Sequence, residues 1–439
     1  MKKVVKFGGS SLASAGQFKK VGEIIRADKS RRYVIPSAPG KRSKTDTKVT
    51  DMLYTCYGAA VREKNFSELL REIKERYEEI IEGLGLTLSL DEDFEVIRKN
   101  FGAKIGRDYA ASRGEYLNGK VMAAYLGFEF IDAAEVIKFD AEGRFDAELT
   151  DTLLGERLSD TEYAVIPGFY GGKPDGTIAT FSRGGSDITG SLVAKAVSAD
   201  LYENWTDVSG FLIADPRIVK NPKSIETITY KELRELSYMG ATVLHDEAIF
   251  PVRKVGIPIN IRNTNAPEEK GTLIVESTCR QPKYTITGIA GTDGFASVTV
   301  EKAMMNSEVG FCRKVLEVFE GNDISIEHMP SGIDTMTIFV NKKDFEEKEQ
   351  KIITEIHKAV DPDHIELEAN LALIAIVGRG MKATRGTAGR IFSALAHANI
   401  NVKMIDQGSS ELNIIVGVRH DDFKNAIQAL YEIFVLTQL

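Results

Sequence analysis

Three glycine-rich turns hold most of the residues in this chain that could do chemistry. They are Lys6-Phe7-Gly8-Gly9-Ser10-Ser11, Phe181-Ser182-Arg183-Gly184-Gly185-Ser186-Asp187, and the stretch Trp205-Thr206-Asp207-Val208-Ser209-Gly210 that runs on to Asp215-Pro216-Arg217. In the first, small residues expose backbone N–H groups and let a phosphate approach the main chain, while Lys6 supplies a compact positive charge. It is not a Walker loop, because G-x-x-x-x-G-K-[ST] does not occur in the sequence. The second joins an anion-binding backbone, a guanidinium and a carboxylate, a charge density that a merely structural turn rarely needs. The third offers a hydroxyl, a carboxylate and a Pro-Arg turn, although Asp215-Pro216 is also a good turn initiator.

As a set, these groups form a phosphoryl-transfer inventory: cations for phosphate and carboxylate, and acids to organise Mg²⁺. No nucleophile–base pair stands out. An acceptor carboxylate with an ordinary pKa of ~3.9 is already ionised at neutral pH and needs no base. The task is then to bring two anions together, which cationic clamps accomplish.

The elements that must position these turns alternate between strand-like and helix-like over the first 280 or so residues, the pattern of an α/β domain with a largely parallel sheet. Strands are expected at 4–7, 33–37, 163–167, 177–181 and 201–208, with helices at 17–27, 66–83, 91–100 and 188–198. Lys173-Pro174-Asp175-Gly176 predicts a hairpin turn, and residues 40–51 read as a polar, mobile loop. In an open sheet of this kind, loops at the strand ends gather at one edge, where ligands bind.

Beyond 276–283 the pattern changes, and residues 310–340 align without gaps on 386–416. Gly310, Ile324, Gly332, Ile338 and Val340 match Gly386, Ile400, Gly408, Ile414 and Val416. Each copy, with a preceding strand (295–301 or 371–377) and a second helix (344–357 or 421–434), predicts a small split-βαβ unit. Gly378-Arg379-Gly380-Met381-Lys382-Ala383 fits a dinucleotide fingerprint, with Asp406 ending the next strand. Only a short turn separates Asp406 from the strand at 412–418, so a hairpin is expected rather than the crossover helix a dinucleotide fold requires.

Bulk properties exclude other classes. With 439 residues, the chain is too long for one core, and 43% hydrophobic with 27% charged residues is ordinary for a globular protein. A net charge of −8 argues against nonspecific binding to nucleic acid or anionic membrane. Cys56, Cys279 and Cys312 are far apart, which fits a reducing compartment and neither zinc nor a disulfide framework. No signal peptide or ~20-residue apolar span is present, so a cytoplasmic protein is expected.

The motifs K-F-G-G-S-S, F-S-R-G-G-S-D and W-T-D-V-x-G-x-x-x-A-D-P-R-I-V, in this order, resemble the signatures of the aspartokinases. Ser37-Ala38, Ser112-Arg113-Gly114-Glu115 and Val243-Leu244-His245 fit as well, and the duplicated tail resembles that family's paired ACT domains. The resemblance spans essentially the whole chain. It implies an open, mainly parallel amino-acid-kinase sheet over 1–283, followed by ferredoxin-like ACT domains at 284–365 and 366–439. It also implies ATP with Mg²⁺, phosphorylation of L-aspartate to 4-phospho-L-aspartate, and homo-oligomers built through the ACT domains. The lack of a homoserine dehydrogenase extension after Leu439 implies a monofunctional enzyme.

By the same resemblance, Lys6 neutralises the transferring phosphoryl group and Asp187 organises that lysine and the metal–phosphate region. Arg183 grips the substrate α-carboxylate, Glu115 meets its α-ammonium, and Ser37 and Thr50 supply nearby hydroxyls. Gly8, Gly9 and Ser10 line the phosphates, and Thr206, Asp207 and Arg217 contact the nucleotide. Residues 40–48 lengthen the loop before Thr50, Leu212 stands where many relatives have tyrosine, and His245 reads as a helix residue. In the first ACT unit, Met305, Phe311, Cys312, Ile326, Glu327 and Ser331 match effector positions, with Phe311 and Ile326 equally at home in a core. Lysine is the expected effector and threonine the alternative. A kinase for another small acid, disfavoured by Glu115 with Arg183, and a noncatalytic amino-acid sensor, disfavoured by Lys6 and Asp187, are the competing readings.

Overall fold

The computed structural model describes residues 1–182, 184–240, 246–278 and 282–437. Arg183, residues 241–245, which include His245, and Cys279 lie outside the described residues. The chain divides into two compact units: 1–211, 224–230 and 243–278 form the first, and 212–223, 231–242 and 279–439 the second.

The first unit is built on an eight-stranded sheet in the order 129–130, 164–165, 31–36, 3–7, 201–206, 259–263, 272–275, 227–229. Neighbours run parallel except 259–263 with 272–275. Lys3–Phe7, Arg31–Pro36 and Leu201–Thr206 are short and buried on both faces, as strands covered on each side are. Phe7 lies level with Pro36 on one side and Trp205 on the other, so three strands end together. Their far ends are tied by a buried ion cluster. Glu203, 1% exposed, takes Arg31 Nε at 2.7 Å and Trp205 Nε1 at 2.9 Å. Burial pushes its pKa up, but the hydrogen bonds and charge of Arg31 and Lys3 prevail and hold it below the usual carboxylate value.

Three helices matter for the site. Gly185–Ala196 covers one face of the three central strands. Arg107–Leu126 is buried along most of its length. Ser67–Leu84, amphipathic, packs its Ile73, Tyr77 and Ile80 into the core shared with Phe94 and Phe101. The expected turn at 173–176 closes a hairpin between Tyr170–Gly172 and Ile178–Thr180, with Gly176 at φ +80°. The polar stretch 40–51 is irregular only to Lys48. Val49–Val61 is a helix, because Val49, Leu53, Cys56 and Tyr57 recur at helical spacing and are buried.

The second unit carries a six-stranded antiparallel sheet in the order 326–328, 335–341, 288–301, 364–377, 413–419, 404–406. The repeat is visible in it: helices Phe311–Glu320 and Thr387–His397 each follow a left-handed glycine, Gly310 and Gly386. Met404–Asp406 pairs antiparallel with Asn413–Arg419, the hairpin expected in place of a dinucleotide fold. The two long strands run through both repeats: Thr292 and Asp293 pair with Leu373 and Ala372, while Val298 and Thr299 pair with Leu367 and Glu366. No helix among the described residues is long and apolar enough to cross a membrane.

Candidate functional site

The centre of the site follows from strand register. Lys6 is the partner of Asn204 on the adjacent parallel strand, so both side chains leave the same sheet face. That face meets the first turn of the 185–196 helix, which carries Asp187. Lys6 Nζ lies 2.6 Å from Asp187 Oδ1 and 3.4 Å from Asn204 Oδ1, and Asn204 Nδ2 donates to Asp187 Oδ1 at 2.9 Å. Lys6 is 9% and Asn204 4% exposed, so the lysine is held as one member of a nearly dry hydrogen-bonded set. The helix is preceded by Gly184 at φ +58°, with no side chain capping it, which leaves N–H groups of its first turn for an anion.

Gly8 and Gly9 follow Lys6 at the same strand end. Gly8 N–H donates to Trp205 O at 3.0 Å, and a side chain at Gly8 would lie 3.8 Å from Lys6 Nζ. A Cβ at Gly9 would stand 2.8 Å from Ala38 O, so only glycine lets the two strand-end turns touch. Ser10 is exposed on the short turn that follows. Thr206 and the exposed Asp207 end the neighbouring strand, with Thr206 Oγ1 donating to Asp207 Oδ1 at 3.2 Å. Arg217 belongs to the second unit, where its exposed guanidinium pairs with Asp215 at 2.6 Å.

On the other side of Lys6, Ser37 continues the 31–36 strand, its N–H bonded to Phe7 O at 3.1 Å. Glu115 comes from the buried 107–126 helix and accepts the backbone N–H of Ala38. Its Oε2 has no partner, and burial pushes its pKa up to about 7 against the effect of the Ala38 bond. A buried carboxylate with one bare oxygen is prepared for a cation. Thr50 lies in the first turn of the 49–61 helix, whose Val49 N–H bonds to Pro39 O at 3.2 Å. Lys6, Asp187, Gly8, Gly9, Ser37 and Glu115 are thereby linked through direct or single-residue contacts.

Two members were not read from the sequence. Asn204 had a signal, a polar residue inside an apolar parallel strand beside Lys6. Asn118, fully buried, donates to Ser37 O at 2.6 Å and leaves its Oδ1 without a partner. It sits one helical turn past Glu115, and nothing in its local sequence distinguishes it.

No group of three or more His, Cys, Asp or Glu fit to hold a metal occurs among the described residues. The carboxylates present suit a cation carried on nucleotide phosphates, since Mg²⁺ commonly keeps its waters and takes few protein ligands.

In the second unit, Met305 and Phe311 are 5% and 2% exposed, and with Cys312 and Ile326 they belong to one apolar cluster. Glu327, on the 326–328 edge strand, accepts a hydrogen bond from Tyr238 Oη. Ser331 bridges to Met336.

The amino acid kinase family model matches residues 1–263, and an ACT domain model matches 374–434. Aspartokinase 3 of Bacillus subtilis strain 168 is 40% identical, covering 98% of both chains. The crystal structure of Clostridium acetobutylicum aspartate kinase superposes with a TM-score of 0.90 at 53% identity, over 98% of this chain and 99% of that one. E. coli aspartokinase III, solved in complex with lysine and aspartate, gives a TM-score of 0.72 at 24% identity over 98% and 99%, a likeness of fold alone. With three strand ends gathered around Lys6 and a full-length relative at this identity, the chain belongs to the amino acid kinase family, among the aspartokinases with ACT domains.

Proposed function

We propose that this chain transfers the γ-phosphoryl group of ATP to the side-chain carboxylate of L-aspartate, and that an end-product amino acid, lysine first, restrains it through the ACT pair. A carboxylate oxygen of aspartate forms the new O–P bond as the bond from the γ-phosphorus to the β–γ bridging oxygen breaks, releasing ADP and 4-phospho-L-aspartate. No proton moves at the acceptor, which is ionised at neutral pH.

The observation that carries the reading is the Lys6–Asp187–Asn204 set at the common end of three parallel strands. Asp187 and Asn204 fix the ammonium in one place, so its charge meets the transferring group without reorganisation. Gly8 and Gly9 open backbone for the phosphates, and Asp187 is the residue that would hold the metal–phosphate region, where Mg²⁺ neutralises charge. Glu115 receives the α-ammonium of aspartate, Ser37 and Thr50 give hydroxyls, and Arg183 takes the α-carboxylate with a bidentate fork. Thr206 and Asp207 serve the nucleotide.

For regulation, the support is the ACT unit and the relative from Clostridium acetobutylicum, described as an allosteric enzyme. Glu327 is the expected anchor for an effector's ammonium, and homo-oligomers form through the ACT sheet, whose edge strand exposes Ile405. Trapping the acyl phosphate as a hydroxamate, with ATP and L-aspartate and with or without L-lysine, tests both halves. Hydroxamate that falls as lysine is added supports both. Hydroxamate indifferent to lysine sinks the lysine assignment, and none from folded, ATP-binding protein sinks the aspartate assignment.

A further inference from the structure

Arg76 has no role in the chemistry above, yet it is 3% exposed, the one charge on the buried, otherwise apolar face of the 67–84 helix. Its guanidinium spans the loop 40–48 from beneath. Nη2 donates to Gly40 O and lies 3.0 Å from Asp46 Oδ2, while Nη1 donates to Thr47 O at 2.9 Å. The loop is closed from its own side too: Asp46 Oδ2 accepts Arg42 N at 2.8 Å and Arg42 Nε at 3.1 Å, and Arg42 Nη1 reaches Glu79 at 2.9 Å.

The two ends of this loop are parts of the site. Gly40 N–H donates to Gly9 O at 2.8 Å, in the turn assigned to the phosphates. Pro39, two residues from Ser37, accepts Val49 N–H, next to Thr50. Ala38 gives its N–H to Glu115 and abuts Gly114, where a Cβ would stand 2.8 Å from the Ala38 Cβ. The residue after Arg76 grips the same place: Tyr77 Oη donates to Gly114 O at 2.7 Å. Burying a guanidinium is costly unless it is paired and hydrogen-bonded, and here the loop supplies both, so the loop and the buried charge hold each other in one arrangement.

We propose that Arg76 is a positioning residue for the reaction, holding residues 40–48 as a fixed strap whose stem sets Ser37, Ala38–Glu115 and Thr50 around the acceptor substrate. The proposal rests on the aspartate kinase reading. Loosening the strap weakens acceptor binding more than nucleotide binding, because the stem carries two of the four groups assigned to aspartate, Ser37 and Thr50, and contacts a third, Glu115, through Ala38.

The test is steady-state kinetics of the full chain, with melting curves recorded in parallel and assays run well below the melt. Arg76→Met is expected to raise the KM for aspartate tenfold or more, with the KM for ATP within about threefold of wild type. Arg76→Lys, which keeps the charge toward Asp46 but cannot span both carbonyls, recovers part of that loss. Asp46→Asn loosens the strap from its own side; it is expected to raise the aspartate KM severalfold and to speed tryptic cleavage after Lys41, Arg42 and Lys44. An aspartate KM within twofold of wild type in folded Arg76→Met overturns the proposal. If that variant does not fold, unchanged KM and unchanged cleavage in Asp46→Asn overturn it. A wild-type enzyme without hydroxamate activity defeats the functional reading instead, and the cleavage rates then decide the strap.

Discussion

Glu115→Gln separates stability from function in opposite directions. The Glu115 carboxyl has an ordinary value of 4.5 and is pushed up to about 7 by burial, with one oxygen unpartnered. A carboxyl that binds its proton more tightly when folded costs nothing below about pH 4.5. The cost then grows as pH rises and levels off above about 7. At 1.36 kcal/mol per unit, that rise amounts to about 3 kcal/mol of lost stability at pH 8. Glutamine keeps the shape and an acceptor for the Ala38 N–H without the charge. The variant should melt close to wild type at pH 4.5 and several degrees higher at pH 8, at about 2–4 °C per kcal/mol for a domain of this size. The same change removes the partner of the substrate ammonium. Truncating one member of a buried charged pair costs about 2–5 kcal/mol, or a rise in aspartate KM of about 30-fold or more. Melting curves at both pH values and hydroxamate assays over a range of aspartate concentrations measure the two arms. A variant less stable than wild type at pH 8 would refute the desolvation argument, and an unchanged aspartate KM would remove Glu115 from the ammonium site.

Lys6→Met should lower kcat by about 10²–10³ with little change in aspartate KM, since the ammonium acts on charge at the transferring group; a variant with near wild-type kcat rules the lysine out of that role. Glu327→Gln should raise the lysine concentration for half-inhibition about tenfold or more, the worth of a hydrogen bond to a charged group; an unaltered inhibition curve places the effector elsewhere. Within the second unit, Glu232 is fully buried and takes Arg379 Nη1 at 3.0 Å, Arg379 N at 2.8 Å and Thr287 Oγ1 at 2.6 Å. Arg379→Met should therefore destabilise that unit by about 3–5 kcal/mol, and a denaturation midpoint unmoved from wild type would show the pair to be idle.

Local chemistry explains why much of this protein is legible before folding is considered. A strand that ends in Gly-Gly, a Pro-Asp-Gly turn, or a glycine at the same place in two repeats reflects backbone conformations that few residues tolerate. Gly310 and Gly386, at φ +84° and +79°, illustrate this. Strand ends carrying Lys6 and Asp207 were readable because a parallel sheet must gather its loops at one edge. The strand before the Asp187 turn, 178–180, belongs instead to a separate antiparallel hairpin, and the helix 185–196 brings Asp187 to Lys6. Other features were decided only by tertiary contact. Arg76 stands in sequence as a charge on the apolar stripe of its helix, and what satisfies it there, a loop some thirty residues earlier in the chain, shows only in the fold. Asn118 and Asn204 acquire meaning only from the strand or turn opposite them. The strands 288–301 and 364–377 pair across both repeats, and residues 212–223 and 231–242 fold with the second unit. The sequence carries no mark of either, because a segment's own pattern specifies its period and its exposed face, whereas its partner is chosen by packing between residues far apart along the chain.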